Sequence, residues 1–156
     1  MRLSKRYRNR RGATTVEAAI IIMPFLTIVL GMLDLGTAVF RHHVVSQAAR
    51  QGVRKAIVHG SRAPSGWNGG KWGTATYGPV AVATDVADPK VQAIAPYLSG
   101  LDPQATKITM EWPDGSNATE KRVRVTVTTT WTPVVTFIFG GLTRTLSASA
   151  MMPIAH

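Results

Sequence analysis

The sequence predicts an α+β chain: a long N-terminal transmembrane helix whose outer half is amphipathic and packs on a small antiparallel β-sheet. Three observations predict it. An uncharged apolar run follows a strongly basic start. A stripe of small residues at helical spacing continues that run without a breaker. Near the C-terminus, three segments alternate apolar and polar residues.

The apolar run comes first. From Ala18 to Leu33 the chain reads AAIIIMPFLTIVLGML, with no charge. Sixteen residues reach only about 24 Å as helix, but counting from Ala13 gives about 31 Å, the thickness of the hydrocarbon core. Arg2, Lys5, Arg6, Arg8, Arg10 and Arg11 precede Gly12, and no acid does. That asymmetry keeps the leader in the cytoplasm and exports the C-terminal bulk. Pro24 lies inside the run, removes one amide donor and is expected to bend the axis near Ile20, which membrane helices tolerate. A secretory signal peptide would carry small residues after its apolar core. Here Arg41, His42 and His43 follow Phe40, whereas Gly12 and Ala13 precede the core. Cleavage at that place leaves the helix on the product.

The helix then changes character. Val45, Ala49, Gly52 and Ala56 recur at spacings of four, three and four, flanked by Ala48 and Val53. Gln47, Arg50, Gln51, Arg54 and Lys55 fill the opposite side. That pattern is an amphipathic helix with a narrow apolar stripe. No breaker intervenes before Gly60, so one helix from Ala13 to Val58, roughly 69 Å long, is expected. The organisation is therefore a basic leader at 1–12, a transmembrane helix at 13–40, an amphipathic extension at 41–59 and an extracytoplasmic α+β domain at 60–156.

In the outer domain, residues 60–80 read as a Gly/Pro-rich surface loop carrying Trp67, Trp72 and Tyr77. The tryptophans suit loop packing or interface anchoring better than a binding surface. Asp88-Pro89 is an N-cap followed by a first-turn proline. Val91, Ile94, Ala95 and Leu98 then share a helical face, interrupted by Pro96. Ile108, Met110 and Trp112 alternate with Lys107, Thr109 and Glu111, and Pro113-Asp114-Gly115 signals a turn. Val123, Val125 and Val127 alternate with Arg122, Arg124, Thr126 and Thr128 to give a second strand. Leu146, Ala148, Ala150 and Met152 mark a third. The intervening WTPVVTFIFGGL, residues 131–142, is too short for a second span. It is expected against the first helix or at the membrane interface.

Composition excludes several classes. Net charge is +10, but without the leader twelve basic residues face eight acidic ones, a net +4. The high pI is thus mostly a topology signal, and no nucleic-acid partner is expected. There are no cysteines, so disulfides, thiolate metal sites and cysteine nucleophiles are absent. His42 and His43 do not share a helix face and, with His59 and His156, read as solvated; no metal or cofactor is expected. Asn117-Ala118-Thr119 is a formal glycosylation sequon to which little weight attaches. No paired carboxylates, phosphate loop or supported Ser-His-Asp set occurs, so the chain does not read as an enzyme.

The informative stretch is Arg10-Arg11-Gly12-Ala13-Thr14-Thr15-Val16-Glu17. It joins a basic leader, a glycine, and a glutamate at the edge of the apolar run. This arrangement resembles the site at which a prepilin peptidase cuts pilins and pseudopilins. The longer run RRGATTVEAAIIIMPFLTIVLGMLDLGTAVFRHHVVSQAARQGVRKA is similar to the TadE-like family, minor pilin-type proteins of the tight-adherence (Tad, Flp) pilus. The likeness falls on Arg11 to Ala18, Pro24, Asp34, Gly36 and Ala48 to Arg54, and more loosely on VRVTVTTTWTPVV and LSASAMMP.

The resemblance implies a pilin-like structural subunit cleaved between Gly12 and Ala13, with Glu17 as an assembly residue. Asp34 falls near the outer membrane boundary, where a hydrated or interfacial acid is expected; the family suggests an assembly contact there. The implied partners are a prepilin peptidase, other pilin and pseudopilin subunits, and the pilus assembly platform in a bacterial inner membrane. The implied orientation is single-pass, with the N-terminus in the cytoplasm. The alternative is an uncleaved, signal-anchored envelope protein whose external domain binds a ligand or partner.

Overall fold

The computed structural model describes residues 11–64, 69–133, 141 and 143–155. Within them α1 (Arg11–Ala56) is followed by β1 (Tyr77–Ala81), α2 (Pro89–Ile94), β2 (Thr106–Glu111), β3 (Arg122–Trp131) and β4 (Arg144–Pro153). The four strands form one antiparallel sheet in the order β1-β2-β3-β4. The long helix and the three alternating strands stand where the sequence pattern puts them. The leader residues 1–10, Trp67, most of the 131–142 segment and His156 lie outside the described residues.

Alternation in the strands becomes two faces. Ile108 and Met110 of β2 and Val123, Val125 and Val127 of β3 are fully buried toward α1. Their neighbours Lys107, Thr109, Arg124, Thr126 and Thr128 point the other way. Register is continuous from Thr106↔Thr129 to Glu111↔Arg124, and from Arg122↔Pro153 to Trp131↔Arg144. A one-residue slip would turn the valines to solvent, so the buried face fixes the pairing. One hydroxyl pair is buried within it: Thr106 Oγ1 and Thr129 Oγ1 lie 3.0 Å apart.

The upper half of α1 supplies the opposing layer. Val45, Ala48, Ala49, Gly52, Val53 and Ala56 are all buried, the stripe that the spacing predicts. Their small side chains let the helix approach β3, β4 and α2 closely. Gly52 is the tightest point. A Cβ there would lie 2.8 Å from Ile94 Cδ1 and 3.0 Å from Val125 Cγ1.

The short α2 starts at Asp88, whose Oδ1 accepts from the Lys90 amide at 2.7 Å. Val91 and Ile94 enter the core, and Ala95–Tyr97 closes the element as a 3-10 turn at Pro96. One strand lies where the sequence predicts loop. Tyr77–Ala81 pairs with β2, with an irregularity between Tyr77 and Val80. Tyr77 Oη donates to Asp85 Oδ2 at 2.7 Å, and the Lys90 ammonium sits 4.8 Å from its ring centre. Burial first, then this hydrogen bond, pushes the Tyr77 hydroxyl pKa above its ordinary value.

The strands run alongside the helix. Arg144, at the start of β4, lines a pocket with Asp34. Past its end, the Ala155 amide donates to the Ile57 carbonyl at 3.1 Å. Ten strand residues cover about 33 Å, and the helix from Asp34 to Ile57 covers about 35 Å. β4 and β2 therefore point the same way as α1, and β1 and β3 point back.

Candidate functional site: the anchor helix and its junction with the sheet

Helix α1 is divided by what surrounds it. Between Thr14 and Leu33 its residues are exposed or half-exposed, and the most apolar stretch has no burial inside the protein. Ile20 is 68% exposed, Met23 73% and Phe25 60%. An apolar surface of this extent is far larger than water tolerates on a monomer, which is consistent with a membrane-spanning segment. The helix is long and apolar enough to be a single-pass anchor.

The predicted processing residues lie at the start of this stretch. Gly12 and Ala13 are in the first turn of α1, and a Cβ added at Gly12 would meet nothing within 4 Å. Glu17 and Ala18 are exposed one turn further on. The first turn carries no acid to complement the positive end of the helix dipole. Pro24 is exposed and leaves α1 unbroken; Thr27 Oγ1 donates to the Met23 carbonyl beside it at 2.9 Å. At Gly31 and Gly36, too, an added Cβ would meet nothing within 4 Å. No packing among the described residues demands glycine at these positions.

Asp34 is the correction. A hydrated or interfacial acid is expected there, yet Asp34 is only 2% exposed, so the hydrated reading fails. Leu35, Trp131, Pro133 and Arg144 line a pocket of about 180 Å³ with it. The end of β3 and the start of β4 fold against the helix at this level and enclose the acid. Arg144 brings the opposite charge to the same pocket. Thr37 Oγ1 donates to the Asp34 carbonyl at 2.8 Å. Asp34 thus marks the junction where the exposed anchor ends and the sheet begins.

His59 is a second correction. It is read as solvated, but it is 8% exposed and stacked on Trp72, with ring centres 4.5 Å apart and planes 7° from parallel. Its Nδ1 lies 2.7 Å from the Gly70 carbonyl, so that nitrogen carries the proton. Asn117 completes this corner. Its Nδ2 donates to the His59 carbonyl at 3.2 Å and to the Trp72 carbonyl. The sequon asparagine is therefore a buried clasp between loops, and its side chain is closed to modification. Nothing local in the sequence announces this, because its partners lie far away along the chain.

His42 and His43 are exposed, as expected. Among the described residues no group of three or more potential ligands could hold a metal ion. A groove of about 320 Å³ beyond the helix end is lined by Lys55, His59, Gln92 and Tyr97, among others.

Residues 12–54 match the family model described as TadE-like protein. The helix is TadE-like. The match runs from the second residue of α1 to within two residues of its end, so it covers anchor, junction and amphipathic stripe together. The sheet lies outside it, including the two C-terminal segments in which a looser likeness is expected. No curated protein and no solved structure matches the chain. TadE-like proteins belong to the pilus-associated, structural side of the tight-adherence system.

Proposed function

We propose that this chain is a minor, pilin-like structural subunit of a tight-adherence pilus. It waits in the inner membrane with its leader in the cytoplasm, is cleaved between Gly12 and Ala13 by a prepilin peptidase, and then joins or primes the filament. The observation that carries this reading is the lower half of α1. Among the described residues it presents a long, exposed apolar surface, and Gly12 and Glu17 stand at its start.

The chemistry fits each part. Gly12 offers no side chain to obstruct a protease at the backbone. Its scissile bond lies in the first helical turn, where few hydrogen bonds must be broken to expose it. Glu17 is costly within lipid unless neutralised. Cleavage creates an amine at Ala13, four residues earlier and so on the same helix face. In the free subunit that amine shields Glu17 in its own chain. In the filament the amine of a neighbour takes over and sets the register. Gly31 and Gly36 let a neighbouring helix approach the backbone.

The test is the intact mass of the membrane-extracted protein from cells with and without the peptidase. A peptidase-dependent loss of residues 1–12 supports the reading. Full-length protein in both strains overturns it and leaves the uncleaved, ligand-binding envelope anchor in its place. Glu17→Ala is expected to preserve processing and lower incorporation into filaments; unchanged incorporation removes the pairing role.

A further inference from the structure

The two edges of the sheet are unlike. β1 is short, contains Pro79, and pairs irregularly with β2. Such features blunt an edge against further pairing. β4 has none of them. It is ten residues long, its register with β3 is unbroken, and from Thr145 to Met152 it carries no charge and no proline. Among the described residues nothing pairs with its outer side.

The core is also open beneath it. Val123, Val125 and Val127 of β3 are fully buried, while the inward-facing Leu146, Ala148, Ala150 and Met152 of β4 remain half-exposed. An open backbone row and an unfinished apolar layer therefore coincide on one strand.

We propose that the outer edge of β4 takes an antiparallel strand from a different exported subunit anchored in the same membrane; this rests on the membrane-anchored reading above. Direction decides the occupant. β4 runs away from the membrane, parallel to α1. Self-pairing of two β4 strands about a two-fold axis would point the two α1 helices in opposite directions, which two copies anchored in one membrane cannot do. Head-to-tail pairing would bring the β1 of a second copy, which does run toward the membrane. That strand has five residues and a proline, and it leaves half of the ten-residue edge uncovered.

The partner is then another chain with a membrane-ward strand of about the length of β4. Large apolar residues on its inward face would fill the space over Ala148 and Ala150 and cover Leu146 and Met152. Hydroxyl-bearing residues on its other face would extend the row of Ser147 and Ser149. A charge on the inward face would be rejected.

The cysteine-free sequence supplies a clean probe. Ser149→Cys, labelled with a benzophenone maleimide in living cells that make the pilus, places one photo-crosslinker at the edge. Thr109→Cys is the control. Thr109, Thr126 and Ser149 lie in one cross-strand row, so the control sits two strands, about 10 Å, further in. The expected result is an adduct from Ser149 to a strand-forming segment of another exported subunit, identified by peptide mass, with loss of that adduct at Thr109. A second copy of this chain as the partner, equal yields at the two positions, or no adduct at Ser149 overturns the proposal. The N-terminal mass of the same sample separates the two readings. Processed protein without the adduct sinks the edge alone, and unprocessed protein with it sinks the pilus reading alone.

Discussion

The two halves of α1 are one helix with two kinds of surface. From Ala18 to Leu33 the helix carries no charge, and its residues are exposed or half-exposed among the described residues. From Val45 to Ala56 only one stripe is apolar, and that stripe is buried against β3, β4 and α2. The difference shows what each residue answers to. In the upper half, side-chain size is set by the sheet, which comes within van der Waals contact. In the lower half no described residue of the sheet sets side-chain size, and only apolarity and length are constrained. Asp34 stands at the changeover, enclosed by the ends of β3 and β4.

Truncation gives the largest contrast. Ile94 is fully buried in the domain that faces the upper half. Ile94→Ala should cost about 2–5 kcal/mol of domain stability, the range for large-to-small core changes. Ile22→Ala, in the exposed lower half, should leave domain unfolding unchanged. Thermal denaturation of both variants in detergent micelles, followed by near-UV circular dichroism, checks the pair. An equal loss in both would mean that the lower half is part of the folding unit, and the two-surface division would be wrong.

Enlargement tests the same division from the other side. Gly52→Val forces a side chain into a space already closed by Ile94 and Val125, and overpacking of this kind costs about 1–3 kcal/mol. Gly36→Val meets open space within the chain, so domain stability should hold while packing between subunits suffers. Unfolding midpoints read the first effect, and filament yield per cell reads the second. If Gly36→Val left filament yield unchanged, close helix approach at that point would be excluded.

This division also explains what the sequence could reveal. The helix and β2, β3 and β4 were legible because their signals are periodic and local: a 3.6-residue stripe through Val45, Ala49, Gly52 and Ala56, and two-residue alternation around Ile108, Val125 and Ala148. β1 was not, because Tyr-Gly-Pro-Val-Ala does not alternate, and it becomes a strand only by pairing with Ile108 and Met110. Asp34 and His59 were misread for the same reason. Their burial is imposed by Trp131 and Arg144 in one case and by Trp72 and Asn117 in the other, residues remote in sequence. At the candidate site, charge and small-residue placement single out Gly12, Ala13 and Glu17, and the mass and incorporation measurements above test them. The edge of β4 was not legible, since strand order is invisible in a linear pattern.

Acid gives the smallest effect and isolates the domain from the anchor. Between Ala18 and Leu33 the helix carries no ionisable side chain, so protonation there changes nothing. In the domain, Arg122 grips Asp114 at both oxygens, with Nη2 to Oδ1 at 2.7 Å and Nε to Oδ2 at 3.2 Å, and its amide adds a third bond at 2.9 Å. These hydrogen bonds, side-chain first, lower the Asp114 carboxyl from its ordinary 3.8 to about 2. A depressed folded-state value means that the folded protein holds the charged form more firmly than the unfolded chain does. The contribution is therefore complete above about pH 4 and disappears as pH falls through about 2. The pair is at the surface, so salt screens it and its magnitude is small. Asp114→Asn should lower the neutral-pH unfolding midpoint slightly and flatten the fall between pH 4 and 2 by the same small amount. A fall of the same steepness in the variant would assign the acid sensitivity to other carboxylates of the domain.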